Sequence, residues 1–600
     1  TPVFKGADRT WALHSVRLLT SSFDVADPAR VARLLDEIRA WATQNQATLH
    51  MTGLPMFAAH GAASAYSEIR LFGTLSIVLI TLMLFSVFRS LRPLALTILS
   101  VGSGVAAAFA ITVVVFGQVH VLTLVFGSSL IGICVDYALH YLCRRFDDDW
   151  TPHGALRSVL PGIALGLVSS VAAFASLLVT PFPGLRQIAV FSGAGLTFAW
   201  LTVVLLLPVL AQRKPAGRTP AMMHLARAYQ DRWPFVPRSV AVLLALVAAG
   251  IAAWGIGSLT PSDDIRLLQS APVELLEEDR LVRGLLPGQF DSQFMLVKGA
   301  DDAEVRLHEA RLSEHLHGLV AQSALRSFRA LSDHYPTVAA QRANYDLIQQ
   351  TLYASGRINA MYAKIGISEP DIAAHMRLVE TQAQLILSFD QWLAGIPVDW
   401  RTQWLGCNPQ GCASVVRLSG IANPGSLQML ATRVEGVTYV DQVGDLSALL
   451  GRYREVASLL LAGVYALISA LLVWRLGLKA ALGVVCVPFA ACVVAVASVY
   501  FTGNLFSLFN LFALLLVVGI SIDYAIFFYL AQAENATTAL AVCLSVLTTL
   551  LAFGMLSLSS TEVVHAFGQT LTAGLITAFL LAPFASPAVQ SRLFKQPVGR

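Results

Sequence analysis

The sequence predicts an α-helical polytopic membrane protein built from two pseudo-repeated halves, each with a polar region of mixed α/β character on one side of the bilayer. Three observations carry this. Of the 600 residues, 56% are hydrophobic and only 13% charged, with a mean hydropathy of +0.65; a soluble domain carries roughly 25% charged residues, which excludes that class. Apolar stretches of about 20 residues, long enough to cross a bilayer core as a helix, recur along the chain. One short pattern, Gly-Ile-x-x-Asp-Tyr-Ala, stands at 132–138 and again at 519–525.

The apolar stretches fall near 71–88, 94–116, 121–142, 160–180, 190–211, 238–258, 456–474, 480–501, 507–530, 537–558 and 567–586, eleven spans in all. The short alternating segments of a transmembrane β-barrel are absent. Basic residues orient the spans. Arg89, Arg92, Arg144, Arg145, Arg157, the group from Arg213 to Arg238, Arg475, Lys479, Arg592, Lys595 and Arg600 fall on one side, whereas the opposite short loops hold only Arg186. The first side is therefore read as cytoplasmic. The polar regions 1–69 and 259–455 then face outward, joined by spans at 70–212, a cytoplasmic linker at 213–237, a span at 238–258 and spans at 456–586, with a cytoplasmic tail at 587–600. An odd span count puts the N-terminus outside, yet T-P-V-F-K-G lacks the charged head and apolar run of a signal peptide. A further helix before residue 1 is expected, and it would make six spans in each half.

Within the polar regions, 292–298 reads as a strand and 303–316 as an amphipathic helix. Residues 414–419, a helix from 424 to about 434 and 437–441 read as strand, helix and strand, and a polar helical stretch near 335–395 reads as an insert. In the first region a helix over 27–41 is opened by Asp27 as N-cap with Pro28 at its first position. A short strand at 47–52 follows, and a helix from about Pro55 runs on into the membrane.

The net charge of +4 is accounted for by the cytoplasmic loops and gives no reason to expect nucleic acid. Of the seven cysteines, five fall in or beside spans as packing residues. Cys407 and Cys412, in C-N-P-Q-G-C, suit a small disulfide if their compartment is oxidising. No further Cys or His stands near them, so a metal is not expected. The chain lacks a Walker A loop, G-x-S-x-G and H-E-x-x-H, so it is not read as an enzyme.

A carboxylate in mid-bilayer costs about 2.5–3.5 kcal/mol on insertion scales, so Asp136 and Asp523 call for a function. Gly132 and Gly519 each allow a neighbouring helix to come close. Tyr137 and Tyr524 each follow an aspartate; if the motif helices pack side by side, Asp136 reaches Tyr524 and Asp523 reaches Tyr137. Such carboxylates can load and release protons. The structural alternative, that each Asp merely ties helices together, is weakened by two copies in matched contexts. His140 lies one turn after Asp136 and can extend a proton path, but its counterpart is Phe527, which favours an interfacial histidine. Thr123, Asn510, Ser169, Ser170, Thr548 and Thr549 are relay partners or helix-packing contacts. Glu562 and His565 are expected in an outer loop, solvated. Ser169-Ser170, Phe174 and Gly195-Leu196 match Thr548-Thr549, Phe553 and Gly574-Leu575 at a constant offset of 379, so the halves repeat in parallel about an axis along the membrane normal.

Two halves, an outer domain in each, and a duplicated Gly-x-x-x-Asp-Tyr motif resemble the resistance-nodulation-division (RND) superfamily, and within it the MMPL branch. The resemblance covers the chain apart from the expected first helix. It implies that Asp136, Tyr137, Asp523 and Tyr524 form a proton relay, with protons as the coupling ion and no cofactor. It implies porter subdomains built like ferredoxin folds, and an exporter of lipidic, aryl-polyene-type or otherwise hydrophobic molecules from the bacterial inner membrane to the periplasm. Its partners would be membrane lipids and such a substrate, with an oligomer or a periplasmic accessory protein left open. The shorter second outer region favours this branch over drug efflux; a non-transporting, sterol-sensing relative is the reading from another class.

Overall fold

A computed structural model describes residues 28–119, 130–180, 183–211, 220–232, 271–285, 290–381, 385–530 and 536–587, with short pieces around 3–16, at 123 and between 249 and 264. Among the described residues, nine helices are long and apolar enough to cross a membrane. Each falls on an expected span. The spans expected at 121–142 and 238–258 lie partly outside the described residues. The chain divides into two compact units, residues 1–279 with 446–600, and residues 280–445.

The first unit opens with an antiparallel pair, β1 (Val3–Lys5) and β2 (Thr10–Ala12). Helix α1 (Pro28–Gln44) follows, with Pro at its first position as expected; Asp27, its expected N-cap, lies outside the described residues. Residues 47–52 form no strand, a correction to the sequence reading. A lone strand has no ladder to hold it, and the segment is tied by side chains instead. The Thr52 hydroxyl donates to Asp279, and Arg39 donates to Glu278 at 2.9 Å. Both acceptors stand on α8 (Val273–Leu285), after the helices of the first half.

Those begin with α2 (Leu54–Phe88), 35 residues and about 52 Å at the helical rise. That exceeds a bilayer core, so its first turns stand outside it. Near that junction Glu68 accepts from the Ser560 backbone N–H at 2.8 Å and from the hydroxyls of Ser559 and Ser560 at 2.5 and 2.6 Å. α3 (Leu91–Phe116) starts at Ser90, whose side chain accepts from Arg92 N, and stops at Gly117, where φ of +74° suits glycine. α4 (Leu130–Cys143), α5 (Pro152–Ser176), α6 (Pro183–Leu205) and α7 (Ala221–Arg232) complete the half.

In the second unit, β3 (Phe294–Gly299), α9 (Asp302–Ala321) and β4 (Leu325–Arg329) come first. α10 (Val338–Ile348), α11 (Arg357–Lys364), α12 (Glu369–Thr381) and α13 (Phe389–Gly395) form the helical insert. Then come β5 (Trp404–Asn408), β6 (Gly411–Ile421), α14 (Pro424–Arg433) and β7 (Val437–Val440). The antiparallel order is β4-β6-β3-β7, with β5 on β6. Two β–α–β units are thus interleaved. The sequence reading missed β4 and β5, both short and next to the insert. Met295, Val297, Val416 and Leu418 alternate onto one face and bury against Val305, Leu312 and Leu316 of α9 and Leu427 of α14.

Cys407 and Cys412 are joined by a disulfide with Cα atoms 4.0 Å apart, across the β5–β6 turn. By chain entropy alone, closing so short a loop contributes about 2 kcal/mol. The double substitution Cys407→Ser, Cys412→Ser should lower the thermal midpoint of the full chain in detergent; an unchanged midpoint would show that the turn holds without it.

Glu309, on α9, is buried beneath the sheet. It accepts from the Ser414 hydroxyl and from Ser332 N at 2.8 Å. Burial raises its carboxyl above the ordinary carboxylate value, against the pull of those hydrogen bonds. The folded chain therefore holds this proton more tightly than the unfolded one. Its contribution is full below the ordinary carboxylate value and is lost as pH rises through the raised one. Hydrogen exchange of residues 294–299 in the full chain should quicken over that rise, after correction for intrinsic rates, and Glu309→Gln should flatten the trend. A slope that persists in the variant would place its source elsewhere.

The second half returns with α15 (Gln442–Leu476), α16 (Leu478–Phe501), α17 (Leu508–Leu530), α18 (Ala536–Phe553) and α19 (Glu562–Leu581). Nearly every residue of α17 is buried, which explains why it is apolar all round. α4 is likewise buried from Gly132 to Cys143. One apolar core runs through both halves, so these two helices sit inside it rather than at its lipid-facing rim.

Candidate functional site

Gly132, Asp136 and His140 recur every four residues and so share a face of α4. That face meets the other half of the chain. The principal partner of α4 is α18, while α17 packs on α5, α16 and α19. The motif helices meet through side chains such as His140 and Phe527, while each also packs on a helix of the other half, α4 on α18 and α17 on α5. The glycines mark these contacts. A methyl at Gly132 would come within 3.1 Å of Ala552 Cβ and 3.6 Å of Thr549 Cα. At Gly519 the nearest atom would be Ser170 Oγ at 3.6 Å, an ordinary contact. Close approach thus requires glycine at 132 more than at 519.

Both carboxylates are buried, at 8% exposure each. Ser169 Oγ of α5 donates to Asp523 Oδ1 at 3.3 Å, and Ser170 stands beside it. Asp136 lies beside Ser545 and Thr548 of α18. Each aspartate is thus met by hydroxyls from the opposite half, and the two lie in each other's field. Tyr137 lies in the field of Asp523 and Tyr524 in that of Asp136. The crosswise pairing is one of proximity only: neither phenol hydrogen-bonds a carboxylate, which corrects the expectation. The tyrosines follow from helix geometry, since adjacent positions diverge by about 100° and cannot share one partner face. Among the described residues, the hydroxyls of Tyr137 and Ser521 are buried without a hydrogen-bond partner. Polar atoms gathered this densely in an apolar core are costly to bury.

His140 is 3% exposed and stacks on Phe527, ring centroids 3.4 Å apart. It is enclosed by protein, with Phe527 of α17 against its ring. The histidine and its own counterpart meet there, one turn below the aspartates. Thr123 donates to Gln187 at 3.3 Å, and Asn510 donates to Thr570 at 2.9 Å; both are helix-packing contacts. Thr548 and Thr549 donate to carbonyls one turn earlier on their own helix. Glu562 is exposed, at the first turn of α19, and His565 is half-buried on it.

Two members of the site escaped the sequence reading. A methyl at Gly166 would lie 2.6 Å from Asp523 Oδ1, so the absence of a side chain there makes room for the carboxyl. Ser545 stands against Asp136. The two positions are 379 residues apart, the offset already visible in the flanking residues, and that offset was the available signal. A third contact ties the ends of the halves: Thr537, at the start of α18, donates to Asp147 at 2.8 Å.

The fold and site define a polytopic helical membrane protein with two carboxylates enclosed in its apolar core. Residues 1–242 match the model of the MMPL family. Over 198 residues the chain is 26% identical to the hopanoid transporter HpnN of Burkholderia multivorans, a match covering 31% of this chain and 23% of that protein. The match thus spans about a quarter of that relative's length. These matches, beside the duplicated motif, make the chain similar to MMPL-family proteins over its first 242 residues.

Proposed function

We propose that the chain is a proton-driven exporter of a lipidic or otherwise hydrophobic substrate, moving it from the inner membrane to the periplasm. The observation that supports this most is the pair of enclosed aspartates, each met by hydroxyls from the opposite half. Protonation of either changes the charge at a contact between halves, and a charge change there biases how the halves pack. Asp136, Tyr137, Asp523 and Tyr524 form the relay, and the parallel repeat supplies the two halves that move. The Gly132–Thr549 and Gly519–Ser170 contacts are equivalent under that repeat. We read the interleaved β–α–β units of residues 294–440 as a ferredoxin-like porter subdomain facing the periplasm. MMPL and RND proteins are transporters rather than enzymes, and a relative named as a hopanoid transporter favours a lipidic cargo.

The test is movement of a fluorescent lipid or a hopanoid in proteoliposomes holding the full chain, with and without an imposed pH gradient. Gradient-dependent movement supports the reading. Movement indifferent to the gradient would remove proton coupling, and none with any hydrophobic substrate would favour the receptor class.

A further inference from the structure

Two arginines of the second unit face each other with no carboxylate between them. Arg329 on β4 and Arg417 on β6 are direct cross-strand partners. Arg417 lies on the sheet face turned away from α9 and α14, since its neighbours Val416 and Leu418 point into that core. Like charges directly opposite on adjacent strands are destabilising. Burial, then Arg417, hold Arg329 below the ordinary guanidinium value.

The surroundings stabilise the charges without using up their donors. The Phe290 ring lies 4.6 Å from the Arg329 guanidinium and 5.6 Å from that of Arg417, and Trp400 lies 4.8 Å from Arg329. Aromatic faces attract cations within about 6 Å and take no N–H. His334 packs edge-on against Trp400, ring centroids 4.3 Å apart, which holds that ring in place. Arg417 spends one N–H on Thr402 Oγ1 at 3.1 Å. Among the described residues, the Arg329 side chain makes no hydrogen bond or ion pair. Asp399 lies in its field without an ion pair, and Asp291 accepts from Ile421 N instead. Two adjacent guanidinium forks, held by rings with most donors free, match the geometry that binds phosphate bidentately.

We propose that Arg329 and Arg417, framed by Phe290 and Trp400, form a receptor for a phosphate-bearing anion. Phe290 precedes the sheet and Trp400 stands between the insert and β5, so the segments flanking the strands bring an aromatic wall to the arginine pair. The proposal stands apart from the transport reading, because binding needs no gradient.

The test uses the full chain in detergent, titrated by calorimetry with inorganic phosphate and with dihexanoylphosphatidic acid, a soluble lipid bearing the same phosphomonoester. Saturable binding is expected. Affinity at least tenfold higher for the lipid would assign the anion to a lipid headgroup; equal affinity would assign it to a soluble phosphate. Arg329→Gln and Arg417→Gln should each weaken binding by tenfold or more while leaving the thermal midpoint unchanged or raised, because each relieves a like-charge pair. Arg329→Lys keeps the charge but loses the fork, and should weaken binding severalfold. No saturable binding of either probe would overturn the proposal, as would binding unaltered in all three variants. A lowered midpoint together with unaltered binding would make the pair a structural anchor.

Discussion

On the proposed function, Asp136→Asn and Asp523→Asn should each bring gradient-driven lipid movement down to the rate of liposomes without a gradient, and the double variant should be no worse than either single one. Asparagine keeps the size of the side chain and one hydrogen-bonding oxygen but cannot take up and release the proton. Residues that act as one unit lose their function together, so the losses do not add. Stability should move the other way. A carboxylate in an apolar core costs about 2.5–3.5 kcal/mol on insertion scales, and the amide relieves part of that. The thermal midpoint in detergent is therefore expected to hold or rise. If the aspartates only tied helices together, asparagine would serve nearly as well, and movement would persist in both variants.

Gly166→Ala should lower the proposed coupled rate severalfold, and Gly166→Leu should bring it to background, both with the chain still folded. The added Cβ would lie 2.6 Å from Asp523 Oδ1 and 2.9 Å from its Cγ. Real contacts are longer, so the carboxyl must turn away, and Ser169 at 3.3 Å is the partner it loses. One methyl in a packed interior typically costs about 1–3 kcal/mol through such shifts. Initial rates measured across pH read the effect directly. A rate profile identical to that of the intact chain would show that Asp523 does not need this space. Ser545 already sets a side chain against Asp136, so Ser545→Ala should matter less. The aspartates are matched in motif but not in surroundings.

Hydropathy and motif spacing carried the class, most spans, the α9–β6–α14–β7 run and the aspartate pair. These are local properties: a span needs only its own twenty apolar residues, and a costly carboxylate is conspicuous in any apolar run. The strand at 47–52 failed because a strand needs a partner that local pattern does not supply. β4 and β5 were missed for the converse reason, being short segments that pairing with β6 makes into strands. That His140 and its repeat partner Phe527 stack on each other was not legible in the sequence, because the contact depends on how α4 and α17 meet.

The sequence by itself determined that this is a polytopic helical membrane protein carrying an Asp-Tyr motif twice in apolar surroundings. The tertiary structure decided which helices meet. It places α4 on α18 and α17 on α5, so each aspartate faces the hydroxyls of the other half rather than the opposite tyrosine. It also sets Arg329 against Arg417. The physical reason is the same in both cases. A helix or strand declares its buried positions through periodicity, but the identity of its neighbour depends on side-chain shape summed over residues hundreds of positions apart. For α4 and α18 that choice is made at Gly132 and Ala552, where absent or small side chains let the helices close.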